Sequence, residues 1–169
     1  MDAREYIRRQ FAALRRLQDG VMQGTTDEQF NWSPPGMANP IRVAFVHLVA
    51  GEDAFINAVI GGRERLWDSG GWAAKVGISA PPGRGQGWEE LQAATIPVAP
   101  VLAYAAAARA ATEAYLATLT PEELDRTITF FGGERTVADI LALLVVHSTG
   151  HLGEIAAIKG SQGVQGLPF

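Results

Sequence analysis

The sequence contains no cysteine, which removes disulfides, thiolate-held zinc, iron–sulfur clusters and a cysteine nucleophile together. Any metal held here is therefore held through nitrogen and oxygen. Positive charge is also in short supply: 14 Lys and Arg against 18 Asp and Glu leave a formal net charge of −4. With a pI near 5.3, the chain has no field to draw in a phosphate backbone or an anionic bilayer. Neither nucleic acid nor a membrane is an expected partner. The opening residues, MDAREYIRRQFAALRRLQ, carry charges throughout and lack the apolar run of a secretory signal or a membrane span, so a cytoplasmic location is expected. Without such a signal the sequon-like Asn31-Trp32-Ser33 reads as chance.

What is present suits a folded chain: 47% hydrophobic and 19% charged residues over a length that fits one domain, taken as 1–169. Ala3, Ile7, Phe11, Leu14 and Val21 recur at spacings of three, four and seven, which predicts an amphipathic helix over about 3–21. Arg8-Arg9 and Arg15-Arg16 then form its solvated face. Gly20 and Gly24 end it, and the polar stretch to Asn39 reads as loop. Asn39 as N-cap and Pro40 at the first helical position start a second helix, which Gly61-Gly62 stops. At about 100° per residue its inward stripe is Val43, Ala44, His47, Ala50, Gly51, Ala54 and Ala58, with Arg42, Glu52 and Asp53 pointing away.

Residues 63–95, rich in Gly, Pro and Trp and without a long period, read as a crossover partly covering the bundle. Within it, Gly83-Arg84-Gly85-Gln86-Gly87 follows no strand and opens no helix, so it reads as flexible loop and not as a phosphate cradle. A third helix spans about 97–119, and Thr120-Pro121 caps a short turn. Thr127–Phe131 before Gly132-Gly133 predicts a short strand or hairpin. Thr136 with Asp139 opens the last helix, which runs to Lys159 and stops at Gly160 before an extended tail. The expected class is all-α: an antiparallel four-helix bundle with one long crossover and a short strand or hairpin before the last helix.

Histidine occurs only three times. His147 and His151 stand at i and i+4, about 6 Å apart between Cβ atoms, which is the bite one metal ion requires. Ile140, Leu143, Leu144, Ile155 and Ile158 share their stripe, so the rings are expected to point into the core. A lone core histidine such as His47 is usually a satisfied structural residue. Three buried imidazoles without partners would leave several unpaired polar groups, each costing about 1–3 kcal/mol, whereas one shared ion satisfies three nitrogens. Glu154 lies on the same face as a fourth ligand, an acceptor for an imidazole N–H, a base acting on water, or a carboxylate facing solvent. Ser148 diverges from His147 by about 100°, so no Ser–His nucleophile pair forms. Small residues around His47 leave room for a ligand, and Trp32 and Tyr104 are candidate pocket walls.

A helix with one inward His47, a long crossover, and then His147-x-x-x-His151-x-Gly153-Glu154-Ile155 resembles the DinB-like family, damage-inducible bacterial four-helix bundles related to thiol-dependent transferases. Asn31-Trp32-Ser33-Pro34 and the tail Lys159-Gly160 to Gly166-Leu167-Pro168-Phe169 are also similar to its members. The resemblance implies one divalent ion on His47, His147 and His151, nickel or zinc first and iron or manganese after them, with water in the remaining positions, and often a homodimer. It further implies a metal-dependent enzyme acting on a small molecule, either a transferase using a low-molecular-weight thiol as cosubstrate or a hydrolase. The alternative is a non-catalytic metal-binding or ligand-sensing dimeric bundle. Metal affinity should weaken in mild acid, because ligand nitrogens must be unprotonated.

Overall fold

The computed structural model describes residues 1–83 and 85–169, so the expectation for the glycine-rich loop falls outside the described residues at Arg84. In chain order the elements are α1 (Ala3–Met22), α2 (Asp27–Asn31), α3 (Ile41–Asp53) continuing as a π-helix over Ala54–Ile60, α4 (Leu66–Ser69), α5 (Trp72–Val76), α6 (Trp88–Ala93), α7 (Val98–Ala117), α8 (Pro121–Asp125), β1 (Thr127–Phe130), β2 (Gly133–Thr136) and α9 (Val137–Ser161). The fold is mostly helical, with the short antiparallel hairpin directly before the last long helix.

Side-chain links fix the directions of the four long helices. Arg15 reaches Glu52 while Met22 and Phe45 line one small cavity, so α1 and α3 are antiparallel. Arg8 donates to the Leu116 carbonyl and Arg109 pairs with Asp19, so α1 and α7 are antiparallel as well. Asn39 meets Glu154 and His47 meets His147, which sets α3 antiparallel to α9. It follows that α3 and α7 run the same way. Short turns join antiparallel neighbours, and a parallel pair needs a connection that travels the length of the bundle. That is the task of the crossover from Gly61 to Pro97, which carries α4, α5 and α6.

Because α1, α7 and the crossover all pack on α3, the residues expected to face water from that helix are buried. Arg42, Glu52 and Asp53 are at most 4% exposed, whereas Ala58, placed on the inward stripe, is exposed. A helix enclosed on all sides has no outer face to give to charge. These buried charges are paired instead. Arg42 donates to the carbonyls of Asn31, Leu91 and Gln92, closing the C-terminal end of α6. Asp53 accepts from the backbone N–H groups of Leu66 and Trp67 at the start of α4, from Asn57 and from the Tyr104 hydroxyl. Arg15, expected on a solvated face, is buried against Glu52, while Arg9 and Arg16 are exposed.

Local signals explain the element ends. Thr136 and Asp139 form a reciprocal capping box at the start of α9. Thr26 and Gln29 form another, which starts α2 inside the stretch expected to be loop. Asn39 is not the cap of α3: Pro40 takes the cap position, its carbonyl accepting from Val43 and Ala44, and the Asn39 side chain goes elsewhere. The hairpin pairs Thr127 with Thr136 and Phe130 with Gly133. Its two-residue turn puts both Phe131 (φ 51) and Gly132 (φ 80) in the left-handed region, at a cost of about 1–2 kcal/mol for the phenylalanine. The tail does not run free: it turns at Gly163 and returns across α1, where a Cβ on Gly20 would stand 2.5 Å from Pro168.

By length and composition Ile41–Ile60 and Val137–Ser161 could each cross a membrane. The first is mostly enclosed by the bundle, and the second keeps an apolar face uncovered.

Candidate metal centre

His47 lies in the middle of α3, and His147 and His151 on successive turns of α9, where the two helices cross. The approach is close because residue 51 is glycine: a Cβ there would stand 2.9 Å from Cε1 of His147. The ring centroids are 4.6–5.0 Å apart and the planes meet at 70–85°, so the imidazoles do not stack and their edges converge. Nε2 of His147 stands 3.1 Å from Nε2 of His47, and one ring nitrogen of each histidine lies within 4.8 Å of the others. These three residues could hold a metal ion. Contrary to expectation, the rings do not face the core alone. All three are half-buried, because α9 borders the bundle and Leu143 on the same stripe is 41% exposed.

The outward nitrogens of His47 and His151 are engaged. Nδ1 of His47 donates to the Pro82 carbonyl at 3.1 Å, an acceptor only, so in the neutral ring Nε2 is bare. Nδ1 of His151 meets Oε2 of Glu154 at 2.9 Å, and Oε1 of the same carboxylate accepts from Asn39 at 3.1 Å. Nε2 of His151 is then bare too. A neutral His147 can donate to only one of these two nitrogens, and its own Nδ1 is buried without a partner among the described residues. A shared cation resolves the shortage of protons, and the donor set fits one.

Burial, with repulsion from His151 and His47, pushes the His147 ring down to about 4, and burial lowers His47 against the pull of the Pro82 carbonyl. Both rings are therefore in the neutral, ligating form at pH 7. The unfolded chain takes up protons near 6.5 while the folded His147 refuses them until about 4, so stability is complete above 6.5 and is lost as the pH falls through this window. Thermal melts of the metal-free protein should show Tm falling between pH 6.5 and pH 4, with a shallower fall in H147Q; equal slopes would contradict the assignment.

Aromatic rings wall the cluster. Trp88 lies 4.8 Å from His47, its indole N–H on the Gly83 carbonyl, and Phe55 lies 6.2 Å from His147. Neither stood out in the sequence: Trp88 sits in an aperiodic stretch, and Phe55 is placed by a π-helical segment whose wider turn no local pattern announces. Tyr104 is fully buried between Trp67 and Trp72, holding the crossover and not lining an open pocket, and Trp32 packs half-buried on the core. Ser148 is buried in the core. The Asn31 side chain is committed to Asp27 and Ile96.

A family profile described as the DinB superfamily matches residues 10–155. The chain belongs to the DinB superfamily. Some members of this superfamily are metal-dependent enzymes. The solved structure of a conserved protein from Enterococcus faecalis matches this DinB chain with a TM-score of 0.76 at 20% identity, covering 94% of this chain and 96% of that one, which shows a shared fold. No curated protein matches the sequence.

Proposed function

We propose that this DinB-superfamily chain holds one divalent ion on Nε2 of His47, His147 and His151 and acts as a metal-dependent enzyme on a small molecule, a thiol transferase or a hydrolase. The observation behind this reading is the 3.1 Å between the Nε2 atoms of His47 and His147. Two nitrogens bonded at about 2.1 Å to one ion, at angles from a right angle to tetrahedral, stand about 3.0–3.4 Å apart. An all-imidazole set suits nickel or zinc, then iron, with manganese less favoured. Such an ion supplies Lewis acidity toward a carbonyl or a thiol and leaves positions open to substrate.

The chain's own residues do the rest. Pro82 and Glu154 fix the orientation of two rings, and Trp88 and Phe55 shield the cluster from water. Both Glu154 oxygens are occupied, which supports an orienting carboxylate over a fourth ligand or a base. Replacement E154A should therefore lower zinc affinity about 10–100-fold in a competition titration, the usual cost of removing such an acceptor; unchanged affinity would return Glu154 to the surface carboxylates. Because the chain has no cysteine, any sulfur in the reaction must arrive with a cosubstrate, for which a low-molecular-weight thiol is proposed.

The outer face of α9 supports a homodimer, with Val146 69% exposed and Gly150 and Gly153 facing open space. That face would serve equally a non-catalytic metal-binding or ligand-sensing dimer, which turnover with bacterial thiols separates from the enzyme. A cytoplasmic chain without nucleic-acid or membrane partners completes the proposal. Native mass spectrometry of the purified protein should show one divalent ion per 18.0 kDa chain and a dimeric mass. Each of H47A, H147A and H151A should lose the ion while its circular dichroism stays helical. Failure to take up zinc or nickel at all would overturn the reading.

A further inference from the structure

A groove of about 690 Å³ lies between the β1–β2 hairpin and the first turns of α9, lined by Phe130, Phe131, Arg135, Asp139, Ile140 and Leu143. Its size is that of small-molecule sites. The groove lies beside the histidine cluster, whose rings do not line it, and two features link them. Leu143, His147 and His151 follow one another at intervals of four on α9 and so share one face. Phe55 stands against both Phe130, at 5.3 Å, and His147, at 6.2 Å, forming a common wall. Asp139 and His147 are separated by about 12 Å along the helix, at about 1.5 Å per residue.

Two features of the groove bear on what it could hold. Phe131 occupies a left-handed turn position that favours asparagine, and it is 59% exposed at the mouth. Backbone strain of this kind persists where it has a use. Arg135, also exposed, makes no ion pair within 4 Å among the described residues, although, after the hydrogen bonds of Thr136, its charge helps to lower the Asp139 carboxyl; one of its N–H groups is spent on the Glu134 carbonyl. The Asp139 carboxylate is turned to the Thr136 backbone N–H, where the positive end of the α9 dipole offsets it.

We propose that this groove binds the body of the substrate, and that the substrate is an elongated apolar molecule with one anionic head held by Arg135, its other end reaching the three histidines. This inference rests on the metal-centre reading for the second end only. The apolar wall and the exposed guanidinium define the chemistry without naming a metabolite, and the rise of about 12 Å from Asp139 to His147 calls for an elongated molecule.

The test is calorimetric titration of the zinc-loaded protein with 1-octanesulfonate, a poor metal ligand, against 1-octanol and octyltrimethylammonium. Octanesulfonate should bind at least tenfold tighter than octanol, and the cation most weakly. R135Q should reduce octanesulfonate to the affinity of octanol, and R135K should retain part of the difference. F131N should weaken octanesulfonate and octanol alike while Tm holds or rises, since asparagine suits the turn. Equal affinity for octanesulfonate and octanol, or no change in R135Q, would overturn the proposal. Repeating the titration on metal-free H147A separates the two readings: an Arg135-dependent preference there supports the groove even if the wild-type chain takes up no metal.

Discussion

Replacing Arg15 with alanine should lower the unfolding free energy by about 3–5 kcal/mol. The Arg15 guanidinium forks onto Glu52 of α3, with Nη1 at 2.8 Å from Oε2 and Nη2 on Oε1, and Glu52 also accepts from the Thr112 hydroxyl of α7. Three helices meet at one carboxylate. The paired side chains are 8% and 3% exposed, so alanine at position 15 strands a charge that water cannot reach. The pair is costly to break but not costly to replace: R15M combined with E52Q should recover most of the loss, because no charge is then left buried. Urea denaturation of the metal-free protein checks both variants. A loss below about 1 kcal/mol in R15A would mean that solvent reaches Glu52 as it reaches an exposed pair.

Arg15 also shows where sequence reading stops. Its period placed it beside Arg16 on the outer face of an amphipathic helix, and only the third helix, with Thr112, makes a buried position for it. The same holds for Arg42, Glu52 and Asp53. Their spacing opposes them to the apolar stripe, but elements from far along the chain cover that side, α6 at Arg42, α4 and α7 at Asp53, and α1 and α7 at Glu52. Signals that act within a few residues were legible: the Thr136–Asp139 cap, the hairpin before α9, Thr120 before α8 and the paired His147 and His151. That His47 joins them was legible from the resemblance and from the rarity of histidine, not from local pattern. Trp88, Phe55 and Asn39 reach the cluster through long-range packing, a π-helical register and a side chain freed from capping, and none of these leaves a periodic trace.

Position 51 brings local and global preference into direct conflict. In the middle of a helix alanine is favoured over glycine by about 0.5–1 kcal/mol, so G51A should leave the Tm of the metal-free protein unchanged or raise it. At the crossing with α9, however, the added Cβ would stand 2.9 Å from Cε1 of His147, closer than carbon atoms pack. The backbone of α3 is held by the bundle on all sides, so the imidazole is the group that yields. Its Nε2, now 3.1 Å from that of His47, is displaced, and zinc affinity should fall about 10–100-fold, as it does when the support of a ligand is removed. G51V should fall further. Competition titration with zinc, beside thermal melts of the metal-free variants, reads the two effects separately, and their opposite signs are the test. Were G51A to bind zinc as tightly as the parent, His147 would have room to retreat and still ligate, and the glycine would owe its place to something other than the metal centre.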